Sequence, residues 1–355
     1  MRKLMILAGA CAVVAGSTLL EAGTSALLEL KVGEEAHVGR LLAKDDSYCW
    51  LMKRDGRVQE IELNAVTDFR KVSPKFRRFR SVELRDELRR EFGSDYEIAA
   101  TTHYLCCAAP GKAADYAEIF EQVYRNFQLY FSTRGFRVSQ PEFPLVAIVF
   151  PDRAAFAKYC RQDDIPPSAS LLGYYLRTSN RVALYTLPGD NQQRVEDTIV
   201  HEATHQVAFN TGLHVRIGEN PKWIVEGLAT VFEAPGVRHS TSRGKAHSRI
   251  NRERYVWFGN FSQSRREEKS LVDFIADDSM FHRSALDAYS QSWALTFFLI
   301  ETRPSQYAAY LKTVASRDPL TPYDREDRIA DFRAAFGDDL DWLETTFLRF
   351  VKKLD

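Results

Sequence analysis

Residues 201–209 read HEATHQVAF. His201 and His205 stand one helical turn apart, so in a helix both rings project from the same face. Two imidazoles at that spacing can share one Zn²⁺ ion. Glu202, the next residue round, would lie beside that ion and could take a proton from a water. A chance HExxH string turns up in roughly one chain in a hundred of this kind, so a third donor decides the matter. The stretch NPKWIVEGLATVFEAP offers one, Glu226, 21 positions after His205. Asn220 is expected to cap a second helix, with Pro221 at its first position. Trp223, Leu228 and Val231 would pack, and Gly227 would let this helix come close to the first. A central glutamate is otherwise most often a solvated surface group. Three protein donors would leave a fourth position open, the arrangement of a catalytic rather than a structural zinc site.

The elements around these residues are legible. The first helix is expected over 192–210: Asp190 or Asn191 can cap it, and Gly212 sits just past its end. Val195, Ile199, Ala203 and Val207 recur every four residues as a buried stripe. Upstream, YEIAATTHYLCCA, PLVAIVF and RVALYTL read as strands. AADYAEIFEQVYRNFQLYFSTRG and DRAAFAKYCRQ read as helices. Downstream, helices are expected over 221–233, 270–277, 284–301, 305–316, 325–336 and 339–353. A sheet half (95–190) followed by a helical half (191–355), with the HExxH helix at the join, is an α+β arrangement. Before it, AHVGRLLA, YCWLMKR and RVQEIEL are β-rich, and Asp55-Gly56 between the last two marks a tight hairpin. With VTDFRKV they make four strands, expected to form a small barrel resembling SH3-like modules over residues 27–72. Residues 73–94 read as a basic linker and a short helix that Ser81 can cap and Gly93 can end.

The motif and its partner helix resemble the gluzincin metallopeptidases, in which HExxH is followed by a helix carrying a glutamate as third zinc ligand. The similarity is strongest to the peptidase-MA-like families of exported bacterial proteins, above all the domain-of-unknown-function family numbered 1570, whose E-G-L-A pattern stands here as Glu226-Gly227-Leu228-Ala229. The resemblance would span about residues 95–315, with 201–229 its specific part. It implies a zincin-like fold, one zinc ion held by His201, His205 and Glu226, and Glu202 as general base. Asn210 matches an asparagine of M1-type aminopeptidases, and reads equally as a helix C-terminal residue before TGL. Such aminopeptidases hold the substrate amine with acidic residues on the strand before the zinc helix. The corresponding stretch here, SASLLGYYLRTSNRVALYTLPG, has neither Asp nor Glu. That favours an endopeptidase, or an enzyme that grips a carboxylate through Arg177 and Arg181; both arginines also read as strand-end surface charges. Gly173, Tyr174, Tyr175, Arg177 and Arg181 are thus the candidate substrate-binding residues. The resemblance also implies a tyrosine hydroxyl about sixty positions past the glutamate. Tyr289 stands 63 past Glu226, sharing an apolar helix face with Trp293 and Ile300. Tyr174 and Tyr175 are competing donors.

Lys+Arg and Asp+Glu both number 48, so bulk attraction to nucleic acid or anionic membrane is not expected. Arg2 and Lys3 precede an apolar run from Leu4 to Leu20 and then small residues, the pattern of an export signal over residues 1–26. A lipid anchor at Cys11 and an uncleaved membrane anchor are the alternatives. No other span is expected. Cys49, Cys106, Cys107 and Cys160 could pair in an oxidising compartment. Cys106 and Cys107, adjacent on a strand, should face opposite ways. The expectation is an exported, zinc-dependent hydrolase, most simply an endopeptidase acting on a peptide or protein. A non-catalytic zinc-containing envelope protein and an amide hydrolase of cell-wall fragments are the rival readings.

Overall fold

The computed structural model describes residues 25–187, 189, 192–238 and 246–354. The expected leader, except its last two residues, and the capping residues Asp190 and Asn191 lie outside them. The chain forms two compact units divided between Arg78 and Phe79.

The first unit is a five-stranded antiparallel sheet, β1 (Leu27–Val32), β2 (Glu35–Lys44), β3 (Tyr48–Met52), β4 (Val58–Glu62) and β5 (Val66–Ser73), in the order β4-β3-β2-β1-β5. Leu28, Leu30, Leu41, Cys49, Leu51 and Ile61 form its core. The small module expected from four strands differs in two details. LLELKV is a fifth strand, whose alternation is blurred by the apolar run preceding it. Among the described residues no ladder joins β4 to β5, so the sheet stays open there.

The second unit is α+β. After α1 (Ser81–Phe92) comes a mixed sheet of β6 (Glu97–Ala100), β7 (Tyr104–Ala108), β8 (Leu145–Phe150), β9 (Gly173–Leu176) and β10 (Arg181–Tyr185), in the order β6-β7-β8-β10-β9. β7, β8 and β10 are parallel; β6 and β9 are antiparallel edges. The single strand expected over YEIAATTHYLCCA is a hairpin, because the buried Glu121 carboxylate gathers its turn, accepting from Thr101 Oγ1 (2.7 Å), His103 N (2.9 Å) and His103 Nδ1 (2.8 Å). Side chains alternate across the sheet. Cys106, Ala147 and Val182 face the core shared with the helical half, while Cys107, Ile148 and Ala183 face the core beneath α1 and α3 (Arg153–Gln162). All four described cysteines are buried and unpaired.

α2 (Ala113–Ser132) and α4 (Gln192–Asn210) lie on the shared-core side. The rest is helical: α5 (Lys222–Phe232), α6 (Pro235–Arg238), α7 (Arg252–Ser264), α8 (Leu271–Ala276), α9 (Ser279–Arg283), α10 (Ala285–Thr302), α11 (Pro304–Ala315), α12 (Arg325–Phe336) and α13 (Leu340–Lys352). α10 is buried along almost its whole length and packs on α5. Gly227 makes that approach feasible, since a Cβ there would lie 2.6 Å from Ser292 O and collide with Thr296 Oγ1. The close approach is therefore to α10, not to α4. Asn220 does not cap α5. Its amide closes the preceding loop on Val215, accepting from N at 3.0 Å and donating to O at 2.8 Å. Ser81 likewise lies inside α1; Glu83 Oε2 caps that helix by accepting from Arg80 N at 2.8 Å. Among the described residues no helix is long and apolar enough to cross a membrane.

Candidate metal centre

α4 lays Ile199, Ala203 and Val207 into the core, which turns the opposite side, with His201 and His205, toward α5. Glu226, one turn into α5, meets them. The two histidine Nε2 atoms are 3.1 Å apart, and Glu226 Oε2 lies 3.5 Å from that of His201 and 3.6 Å from that of His205. Four tetrahedral ligands at about 2.0–2.2 Å from zinc stand roughly 3.3–3.5 Å from one another. The triangle thus has the size of one face of a zinc tetrahedron, and these three form the metal-competent donor cluster among the described residues. Glu226 Oε2 is buried with no hydrogen-bond donor. A carboxylate oxygen and two ring nitrogens turned on one another call for a shared cation.

The far side of His201 is also held. Its Nδ1 lies 2.8 Å from Glu233 Oε1, while Glu233 Oε2 accepts from Asn251 Nδ2 at 2.7 Å and Arg254 stands 3.5 Å away. A carboxylate on Nδ1 fixes the proton there and turns the Nε2 lone pair to the triangle. Burial alone would raise the carboxyls of Glu226 and Glu233. The imidazoles outweigh it, His205 and His201 for the first and His201 for the second, and hold both below the ordinary range. Glu233 went unnoticed in the sequence. It stands seven residues after Glu226, two turns along the same face, and that spacing was the available signal.

Two cavities flank the donor cluster. One of about 680 Å³ opens on the His201 side and is lined by Gly173, Glu202, Arg254 and Tyr289 among others. Another of about 460 Å³ opens on the His205 side, where Tyr175, Arg177 and Glu226 line it. Edge strand β9 runs past both. Tyr289 comes from α10, whose first turn is pinned by buried Asp287; that carboxylate accepts from Trp257 Nε1 (2.8 Å), Arg265 Nη2 (2.6 Å) and Ser284 Oγ (2.8 Å). The Tyr289 ring lies 6.4 Å from that of His201, centroid to centroid, and Arg254 stands 5.6 Å over it. Burial pushes its phenol well up, and the Glu226 and Glu202 charges add to this, so it stays a proton donor.

The other sequence candidates divide. Gly173 is packed so tightly that a Cβ would lie 2.9 Å from Leu184 Cβ and 3.2 Å from Thr198 Cγ2. Tyr174 points to the opposite core, packs at a tilt against Phe156 and donates to Asp163 Oδ2 at 2.8 Å. Tyr175 faces α4, but its hydroxyl donates to Asn180 Oδ1 at 2.9 Å. Neither hydroxyl competes with Tyr289. Arg181 is 5% exposed and clamped by Glu91 at 2.5 and 2.8 Å and by Tyr159 Oη at 3.1 Å. It joins α1 to the sheet and cannot reach a substrate. Arg177 does line a cavity. Asn210 exchanges amide bonds with Asn180 (3.0 and 2.6 Å) and so ties α4 to the β9–β10 turn, where Asn180 has φ 59°. His214, between the two donor helices, is buried with neither ring nitrogen bonded, and burial pushes it down to about 3.

Residues 196–321 match the family model described as "Protein of unknown function (DUF1570)". No curated protein matches. Among solved structures, the chain is similar to an M1 zinc metallopeptidase from Deinococcus radiodurans, with 15% identity, TM-score 0.38, 71% of this chain and 51% of that one covered. A variant of the Deinococcus enzyme bound to a Tyr-Ser-Ala substrate gives 13% identity and TM-score 0.36 over the same shares. The chain spans about half the length of these structures.

Proposed function

We propose that the protein is an exported zinc-dependent metallohydrolase, most directly an endopeptidase, with one zinc held by His201, His205 and Glu226. The observation that carries this reading is the donor triangle of 3.1, 3.5 and 3.6 Å around a buried carboxylate oxygen with no other partner. Zinc bound there would supply Lewis acidity toward a scissile carbonyl and a water acidified to a pKa near 7. Glu202 accepts that water's proton and returns it to the leaving amine as the C–N bond breaks. Tyr289 donates its hydroxyl hydrogen to the oxyanion of the tetrahedral intermediate. The free edge of β9 can hold an extended chain by main-chain hydrogen bonds. Its course past cavities on both sides of the cluster favours cleavage within a chain. Export rests on the basic, apolar and small-residue pattern of residues 1–26.

Zinc content and hydrolysis test the reading together. The wild type should hold about one zinc per chain. His205→Ala and Glu226→Ala should each lose it. Glu202→Gln should keep zinc and lose nearly all hydrolysis of a peptide library. Full zinc retention in both ligand variants, or an active Glu202→Gln protein, would overturn the assignment.

A further inference from the structure

The cavity on the His205 side carries an unbalanced charge. Beyond the donor cluster its ionisable groups are Arg177, Lys222, Arg328, Glu219 and Asp278. Both carboxylates face Arg328, a residue 7% exposed: Nη2 donates to Glu219 Oε2 at 3.3 Å and Nη1 lies 3.2 Å from Asp278 Oδ1. The side chains of Arg177 and Lys222 have no carboxylate partner among the described residues, although the Lys222 main-chain N donates to Asp278 Oδ1 at 2.9 Å. The Arg177 Nη1 donates to Gly218 O at 3.0 Å and its guanidinium sits 5.9 Å over Phe209; the Lys222 ammonium lies 5.9 Å over Phe281. The Gly218 acceptor is itself fixed, with φ +91° and a Cβ position 2.8 Å from Pro319 Cα. Arg177 is therefore oriented without being neutralised. Three cations against two carboxylates leave one net positive charge at a concave site partly walled by Phe209 and Val225, which focuses a positive potential beside the donor cluster. A guanidinium there can take a carboxylate through parallel N–H donors.

We propose that this cavity is a carboxylate subsite, so that the substrate residue seated on the His205 side carries either an acidic side chain or the chain's own terminal carboxylate. This rests on the hydrolase reading for its setting, and the test is chosen to separate the two. Zinc-loaded wild type is titrated with peptide hydroxamates that differ only in a Glu or a Gln beside the chelating group. A second pair keeps Gln and differs in a free or an amidated C-terminus. The charged member of at least one pair should bind about tenfold tighter or more, and the pair that shows the gap identifies the source of the carboxylate. Arg177→Gln combined with Lys222→Gln should close that gap, and Arg177→Glu should reverse it in favour of a Lys-bearing compound. Equal affinity within both wild-type pairs overturns the proposal, whatever the variants do. Charge discrimination in a protein that cleaves no amide would sustain the subsite and overturn the hydrolase reading.

Discussion

At the scale of single residues, the proposed chemistry turns on groups that support the donors as much as on the donors. Glu233 fixes the His201 tautomer through a 2.8 Å contact. Glu233→Gln keeps the shape but removes the charge, and should weaken zinc binding by about 10–100-fold. Competition with a calibrated chelator measures this, and unchanged affinity would assign Glu233 to packing alone. Tyr289→Phe deletes one hydroxyl beneath an intact ring. It should fold and hold zinc normally, with kcat lower by about 10²–10³. Turnover at the wild-type rate would make Tyr289 a core residue and send the search for the oxyanion donor elsewhere.

At the scale of elements, the donor cluster is a problem in helix packing. Glu226 reaches its place because α5 is pressed onto α10 at Gly227. Gly227→Ala overpacks that contact and should cost about 1–3 kcal/mol, with a lower Tm and weaker zinc binding in the same variant. A Tm unchanged by the methyl would mean that the helix pair adjusts freely. The loop between α4 and α5 holds His214 neutral in the interior. The unfolded chain protonates this residue near 6.5 and the folded chain only near 3. Between those values the unfolded state binds more protons, so stability should fall as pH falls from about 6.5. His214→Phe should flatten that acid limb in denaturant midpoints taken at several pH values; an identical limb would place its origin in other groups. The same helices show what a sequence discloses. The stripe of Ile199, Ala203 and Val207 and the one-turn spacing of two histidines are local, and local periodicity gives α4 to the residue. The helix Arg252–Ser264 was missed because Tyr255, Val256, Trp257 and Phe258 run consecutively, so its apolar residues mark no single helical face. The approach of α5 to α10, the engagement of Arg181 by Glu91 and the separate fates of Tyr174 and Tyr175 depend on contacts between distant segments, which no spacing records.

At the scale of the whole molecule, the reading of export makes a simple demand. The mature native protein should lack residues 1–26, and intact-mass measurement checks it; a full-length N-terminus would reject the leader. A cut after Ala26 would leave β1, which begins at Leu27, whole, but would remove the Ser25 carbonyl that accepts from Phe76 N at 2.5 Å. The four buried, unpaired cysteines bear on the same journey. Export is the usual occasion for an oxidative fold, with a thiol oxidase closing cross-links as the chain emerges. Here the thiols are already packed as small apolar side chains, Cys106 on one face of the sheet and Cys107 on the other. None of the four described cysteines is paired, so a reductant should leave the Tm unchanged. With the proposed zinc bound, a dithiol reductant in the buffer would act on this protein as a competitor for the metal, not as a breaker of cross-links among the described residues.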